Sequence, residues 1–137
     1  MTQSTLTRAQ LEDLVRRFTE AFNRDDLEGV MACMADEAIY DEFNGKVNRG
    51  KAAIREAFVP QFRGDYGVLR FHTEDLFVDV EAGKALIRWL CTLERHGRRR
   101  GWRGLDILHF ENGQIKAKLT YAKAEVPLLT SQPTRDA

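Results

Sequence analysis

Apolar residues at Leu11, Leu14, Val15, Phe18 and Phe22 follow one another at intervals of three and four, the spacing that forms a single stripe along an α-helix. Thr7, with Gln10 three positions on, forms a capping box in which each side chain satisfies a free N–H, so the pattern predicts a helix over 8–23. Asp25 and Asp26 then offer an N-cap for a second short helix carrying Leu27, Val30, Met31 and Met34. The segment 38–43 reads as a strand, with Asn44-Gly45 as a tight hairpin turn and Val47 opening the return strand. Helical spacing resumes over 50–62 at Ile54, Ala57 and Phe58, and Pro60 is expected to end or kink this third helix.

From Tyr66 onward the period changes. Short β-rich runs near 68–80, 85–95, 100–110 and 115–123 are separated by turn residues at 81–84, His96-Gly97 and Asn112-Gly113, which predicts an antiparallel meander whose first run is long enough for a bulge. Ile115, Ala117, Leu119 and Tyr121 alternate with Lys116, Lys118 and Thr120, so the last strand is expected to present one apolar face. Helices followed by strands give an α+β class, with three N-terminal helices packed on a curved antiparallel sheet. A strongly curved sheet cannot close flush on three helices, so a ligand pocket is expected at its open end.

The 137 residues suffice for one cored domain, expected over 1–126, with a flexible Pro-containing tail over 127–137. The 21 basic and 21 acidic residues cancel, leaving no overall field to recruit nucleic acid or an anionic membrane. Arg98-Arg99-Arg100 and Arg103, interleaved with Trp102, form the basic cluster of the chain, and at a predicted hairpin tip it reads as solvated charge. Cys33 and Cys91 are far apart and lack C-x-x-C spacing, so neither a disulfide framework nor a zinc site is signalled and a cytoplasmic location is expected. No apolar run approaches the roughly 18 residues of a membrane span. His72 and His109 have no metal-ligand spacing, and no metal or cofactor is expected.

The informative residues put charge on apolar faces. At period two Asp106 shares its strand face with Leu108 and Phe110. Desolvation there suits a neutral acid that donates to a substrate oxygen; the alternative is a structural carboxylate held by Arg103, Arg88 or the indole of Trp89 or Trp102. Asp41 ends the first strand and is a general-base candidate if it lines the pocket, or else an exposed strand-end carboxylate. Phe18 is expected on the pocket wall or in the core. His72, if directed inward, would be a titratable partner, and Tyr40 and Tyr121 are candidate phenolic donors or simply packed rings.

The order of elements, with FTEAFNRDDLEGVMACMADEAIYDEF, then RGKAAIREAF, then GLDILHFENGQIKAKLTY, resembles the SnoaL-like and ketosteroid-isomerase-like proteins of the nuclear transport factor 2-like superfamily over about 11–124. The resemblance implies a conical α+β barrel around a cavity, and a homodimer formed through the sheet. It aligns Asp41 with the general-base Asp of ketosteroid isomerases and Asp106 with their protonated oxyanion-hole Asp. Phe18 stands where their oxyanion-hole Tyr is expected, and a phenyl ring has no hydrogen bond to donate. The acid/base Asp of SnoaL cyclases has no counterpart in Leu119-Thr120-Tyr121-Ala122-Lys123, and of the Asp–Arg–Asp set of limonene-epoxide-hydrolase-like members only Arg103 and Asp106 map. Residues and resemblance together point to a small hydrophobic ligand, a catalytic pair Asp41 and Asp106, and Phe18, Tyr40, His72, Trp89, Leu108 and Tyr121 around the substrate. The implied activity is that of a cofactor-independent isomerase, cyclase or hydrolase. The alternative is a non-catalytic binding or dimerisation module.

Overall fold

Alternation of side chains along each strand and a stripe on each helix produce two layers, seen in a computed structural model that describes residues 6–131. The chain runs α1 (Arg8–Asn23), α2 (Leu27–Ala32), β1 (Met34–Asp41), β2 (Val47–Arg49), α3 (Lys51–Phe62), β3 (Val68–Asp79), β4 (Lys84–Arg95), β5 (Arg98–Glu111) and β6 (Gln114–Ala122). The six strands form one sheet in the order β2-β1-β6-β5-β4-β3. It is antiparallel except where β1 lies parallel to β6, a pairing that the meander pattern does not contain. Residues 1–5 and 132–137, the latter the end of the expected tail, lie outside the described residues.

The helix signals hold in detail. Thr7 Oγ1 accepts from Gln10 N at 3.1 Å and Gln10 Oε1 accepts from Thr7 N at 2.8 Å, closing the capping box. Leu11, Val15, Phe18 and Phe22 are buried along α1, whose end is clamped to β3: the Asn23 amide donates to Phe71 O at 2.9 Å and accepts from Phe71 N at 2.8 Å. Asp26 caps α2 by accepting from Gly29 N at 2.9 Å. Met34, expected on the stripe of α2, instead begins β1, because the helix stops at Ala32. Helix α3 passes through Pro60 to Phe62; the proline sits in the last turn, where one missing N–H interrupts little. The link from β1 to β2 is longer than a two-residue turn, with Glu42 N donating to Lys46 O at 2.9 Å and Gly45 carrying the positive φ of 85°.

Three register shifts shape the sheet, one of them between Met34 and Ile39 where β1 meets β6. The register of β3 against β4 shifts between Thr73 and Asp75, the bulge anticipated for this long strand. The third shift, between His109 and Phe110, offsets β5 against β6. It overturns the single apolar face expected for β6: Ile115 is buried in the core, whereas Leu119 and Tyr121 lie on the outer face with Tyr121 56% exposed, and Lys118 turns inward. One extra residue exchanges the faces of everything beyond it. The core runs along the concave side, through Met34, Ile54, Phe58, Leu108 and Ile115 beneath the helices. Residues 123–131 have no regular structure, and Leu128 rests beside Gly45 of the β1–β2 turn.

Candidate functional site

Where helices and sheet diverge, the rings of α1, α3, β1, β3 and β4 meet without filling the space. Phe22 touches Phe18 edge-on at 5.0 Å and Phe58 at 5.3 Å between centroids, Tyr40 lies 4.9 Å from Phe58, and Phe71 meets Trp89 at 5.2 Å. They wall a cavity of about 260 Å³, with Phe43, Tyr66 and Trp102 also on its lining. Edge-to-face rings favour a flat or apolar occupant.

One side of this cavity is polar. Asp106 on β5 is flanked in register by Ile87 of β4 and Thr120 of β6. Its Oδ1 accepts from Lys118 Nζ at 3.1 Å and from Thr120 Oγ1 at 2.6 Å, and its Oδ2 accepts from the Trp89 indole at 3.2 Å. Lys118 also donates to Thr120 Oγ1 at 2.8 Å and holds its ammonium 4.5 Å from the Tyr40 ring centroid. Burial works against the Lys118 charge, but the neighbouring Asp106, Tyr40 and Glu42 outweigh it and the ammonium pKa is raised. Burial raises the Tyr40 hydroxyl pKa above the ordinary value, against the lowering pull of Lys118. Among the described residues no buried side-chain nitrogen or oxygen lacks a hydrogen-bond partner.

Gly104 makes this geometry possible. It faces Trp89 across the β4–β5 ladder, and a Cβ there would lie 2.5 Å from Trp89 Cη2 and 2.5 Å from Tyr121 O. The missing side chain lets the indole lie against the strand backbone and reach Asp106.

Of the residues singled out in the sequence, Asp106, Phe18, Tyr40 and Trp89 line the cavity. Four do not. Asp41 follows inward-facing Tyr40 and falls on the opposite face of β1; the next residue, Glu42, lines the cavity, with its Oε2 accepting from Asn48 Nδ2 at 2.9 Å. His72 is exposed and hydrogen-bonds Thr92 Oγ1 through Nε2 at 3.0 Å, while its neighbour Phe71 takes the inward position. Leu108 is fully buried in the core below the cavity, and Tyr121 is on the outer sheet face. Both Asp106 oxygens face donors of the protein itself, one of them the Lys118 ammonium, where the sequence reading expects an acid that donates to a substrate oxygen. Its support is the Trp89 indole and a lysine, not an arginine. Arg103, one strand face away, instead bonds Glu74 through Nε at 2.8 Å and Nη2 at 3.1 Å. Lys118 and Thr120 were missed because the alternation in β6 assigned them to solvent; the usable signal was that a carboxylate on an apolar face needs a cation. Among the described residues no three His, Cys, Asp or Glu side chains are grouped to hold a metal ion, and no helix is long and apolar enough to cross a membrane.

A family profile described as SnoaL-like domain matches residues 15–118. Among curated proteins no match is found. Solved structures with the same fold include a candidate polyketide cyclase from Xanthomonas campestris pv. campestris, 20% identical with a TM-score of 0.74, covering 83% of this chain and 90% of that one. A nuclear-transport-factor-2-like protein of unknown function from Mesorhizobium loti is 22% identical with a TM-score of 0.72, covering 90% of this chain and all of its own. The epoxide hydrolase/cyclase-like enzyme SalBIII, of pyran ring formation in salinomycin, is 15% identical with a TM-score of 0.74, covering 84% and 92% of the two chains. At these identities the likeness is one of fold.

Proposed function

This chain belongs to the SnoaL-like domain family, and from that premise we infer that its cavity binds a small, mainly apolar molecule whose oxygen-bearing end meets the Lys118, Thr120 and Asp106 group. The observation that carries this reading is an aromatic cavity of about 260 Å³ with its charged groups gathered on one side. An apolar body gains from leaving water against those rings, and a carbonyl or hydroxyl oxygen finds a cationic donor in Lys118. In the catalytic form of the reading, Lys118 polarises that oxygen, Asp106 and Thr120 hold the ammonium in place, and Glu42 takes the base role first assigned to Asp41. The products would be those of a cofactor-independent isomerisation, cyclisation or hydrolysis.

A non-catalytic binding module is the second reading. It is favoured by Asp106, whose three donors all belong to the protein. A second copy of the chain on the outer sheet face, where Leu105, Ile107, Leu119 and Tyr121 lie, completes the proposal as a homodimer.

The binding reading is tested with 2-acetonaphthone, a neutral aromatic ketone, followed by tryptophan fluorescence. Both tryptophans of the chain, Trp89 and Trp102, line the cavity. Saturable one-to-one quenching is expected, and Ala57→Phe, which places a ring into the cavity from α3, is expected to abolish it. Quenching that does not saturate, or that survives Ala57→Phe unchanged, overturns the reading.

A further inference from the structure

The basic run of the β4–β5 hairpin is not accounted for by a ligand held at Asp106 alone. Side chains on β5 alternate, so Arg98 and Arg100 share the concave face with Trp102 and Asp106. On β4, Arg95 shares that face with Trp89 and Leu93, and the register sets Arg95 against Arg98 and Leu93 against Arg100. The turn between them, with His96 at φ 53° and Gly97 at φ 75°, is the tight hairpin form that keeps the two strands in register to their ends.

These arginines are therefore not a detached tip. A groove lined by Arg95, His96, Arg98 and Arg100 shares Tyr66, Leu93 and Trp102 with the aromatic cavity, so the two are continuous through those three residues. Arg98 and Arg100 are exposed and enter no ion pair among the described residues. Arg95 lies close enough to Asp65 to help lower that carboxyl's pKa, but the carboxylate is bonded to Arg63, at 2.9 Å through Nε. Positive charge thus outweighs negative on this side of the mouth. Arg100 lies six positions before Asp106, about 20 Å at the rise of an extended strand.

We propose that the physiological ligand is an elongated amphipathic anion, whose apolar body lies in the aromatic cavity while its carboxylate or phosphate sits outside the mouth on Arg95, Arg98 and Arg100. The inference rests on the reading of the cavity as a binding site and adds the chemical class of the ligand. Guanidinium groups are suited to this role because they meet planar or tetrahedral oxyanions through two parallel N–H donors. A chain with zero net charge has no general attraction for anions, so a preference would come from this local cluster.

The test compares dodecanoate with its methyl ester, which has the same apolar chain and no charge, through the fluorescence of Trp89 and Trp102. In the wild-type protein the acid is expected to bind at least tenfold more tightly than the ester, and the ratio to shrink as salt is raised. Arg98→Gln with Arg100→Gln is expected to bring the ratio to near one, Arg98→Lys with Arg100→Lys to retain part of it, and Arg16→Gln on α1 to keep it whole. Equal affinities in the wild-type protein, or a full preference in the double glutamine variant, overturn the anion proposal while leaving the cavity reading in place. If neither probe is bound while 2-acetonaphthone is, the anion proposal falls and the cavity reading stands; if 2-acetonaphthone is not bound either, the cavity reading falls as well.

Discussion

Lys118 Nζ lies 3.1 Å from Asp106 Oδ1, and the two side chains are 7% and 10% exposed, so a full ion pair sits inside the apolar half of this protein. Neither charge is tolerable there without the other. Lys118 is also the cation on the lining of the cavity, which makes the stability of the pair and its chemistry one question.

Breaking the pair from one side leaves a buried charge. Asp106→Asn and Lys118→Met are each expected to cost about 3–5 kcal/mol, and the double variant less than the sum. Urea unfolding checks this. Single variants within about 1 kcal/mol of the wild type, on the order of an exposed ion pair, would show the charges to be solvated.

Alkaline stability should carry the signature of the same group. The Lys118 pKa is raised in the folded protein, and so is that of Tyr40. The folded state therefore keeps these protons longer than the unfolded chain. The stabilisation is complete below the unfolded values near pH 10 and disappears as pH rises through the folded ones. Burial raises the Cys33 and Cys91 thiols as well, Cys91 to about 12, so urea midpoints should be level from pH 7 to about 8 and fall above it, and the part of the fall above about pH 10 should be shallower in Lys118→Met. A midpoint that climbs above pH 10 would contradict the assigned direction.

Gly104→Ala is expected to destabilise by about 1–3 kcal/mol, since its Cβ meets the Trp89 ring and the Tyr121 carbonyl. The displaced indole should change its emission as well. A variant with unaltered stability and fluorescence would mean that Trp89 does not depend on the glycine.

Catalysis and simple binding are separated by proton exchange. If Glu42 is the base, the methyl protons of bound 2-acetonaphthone should exchange with deuterium oxide faster than in buffer, and Glu42→Gln should remove the gain while Asp41→Asn should not. Exchange at the buffer rate with the ketone bound would favour the binding module.

The outer sheet face gives a prediction about assembly. Leu119→Arg is expected to convert a dimer to a monomer in sedimentation velocity; a wild-type monomer at micromolar concentration would remove the proposed partner copy.

The amino-acid sequence by itself determined what depends on local period: α1 with its Thr7 and Gln10 box, the Asp26 cap, the strand runs, the His96-Gly97 turn, and the α+β order that leaves a cavity. It also put Asp106 on an apolar face, because alternation needs no knowledge of neighbouring strands. Tertiary structure alone decided which strand lay beside which and in what register. The shift between His109 and Phe110 turned Lys118 inward and Leu119 outward, the parallel pairing of β1 with β6 set Tyr40 beside Lys118, and one residue of phase gave Glu42 rather than Asp41 to the cavity. A side chain's face alternates at every residue, so a single bulge or a strand end misread by one reverses it. Local pattern records that a carboxylate is buried; only the packed sheet records what is buried beside it.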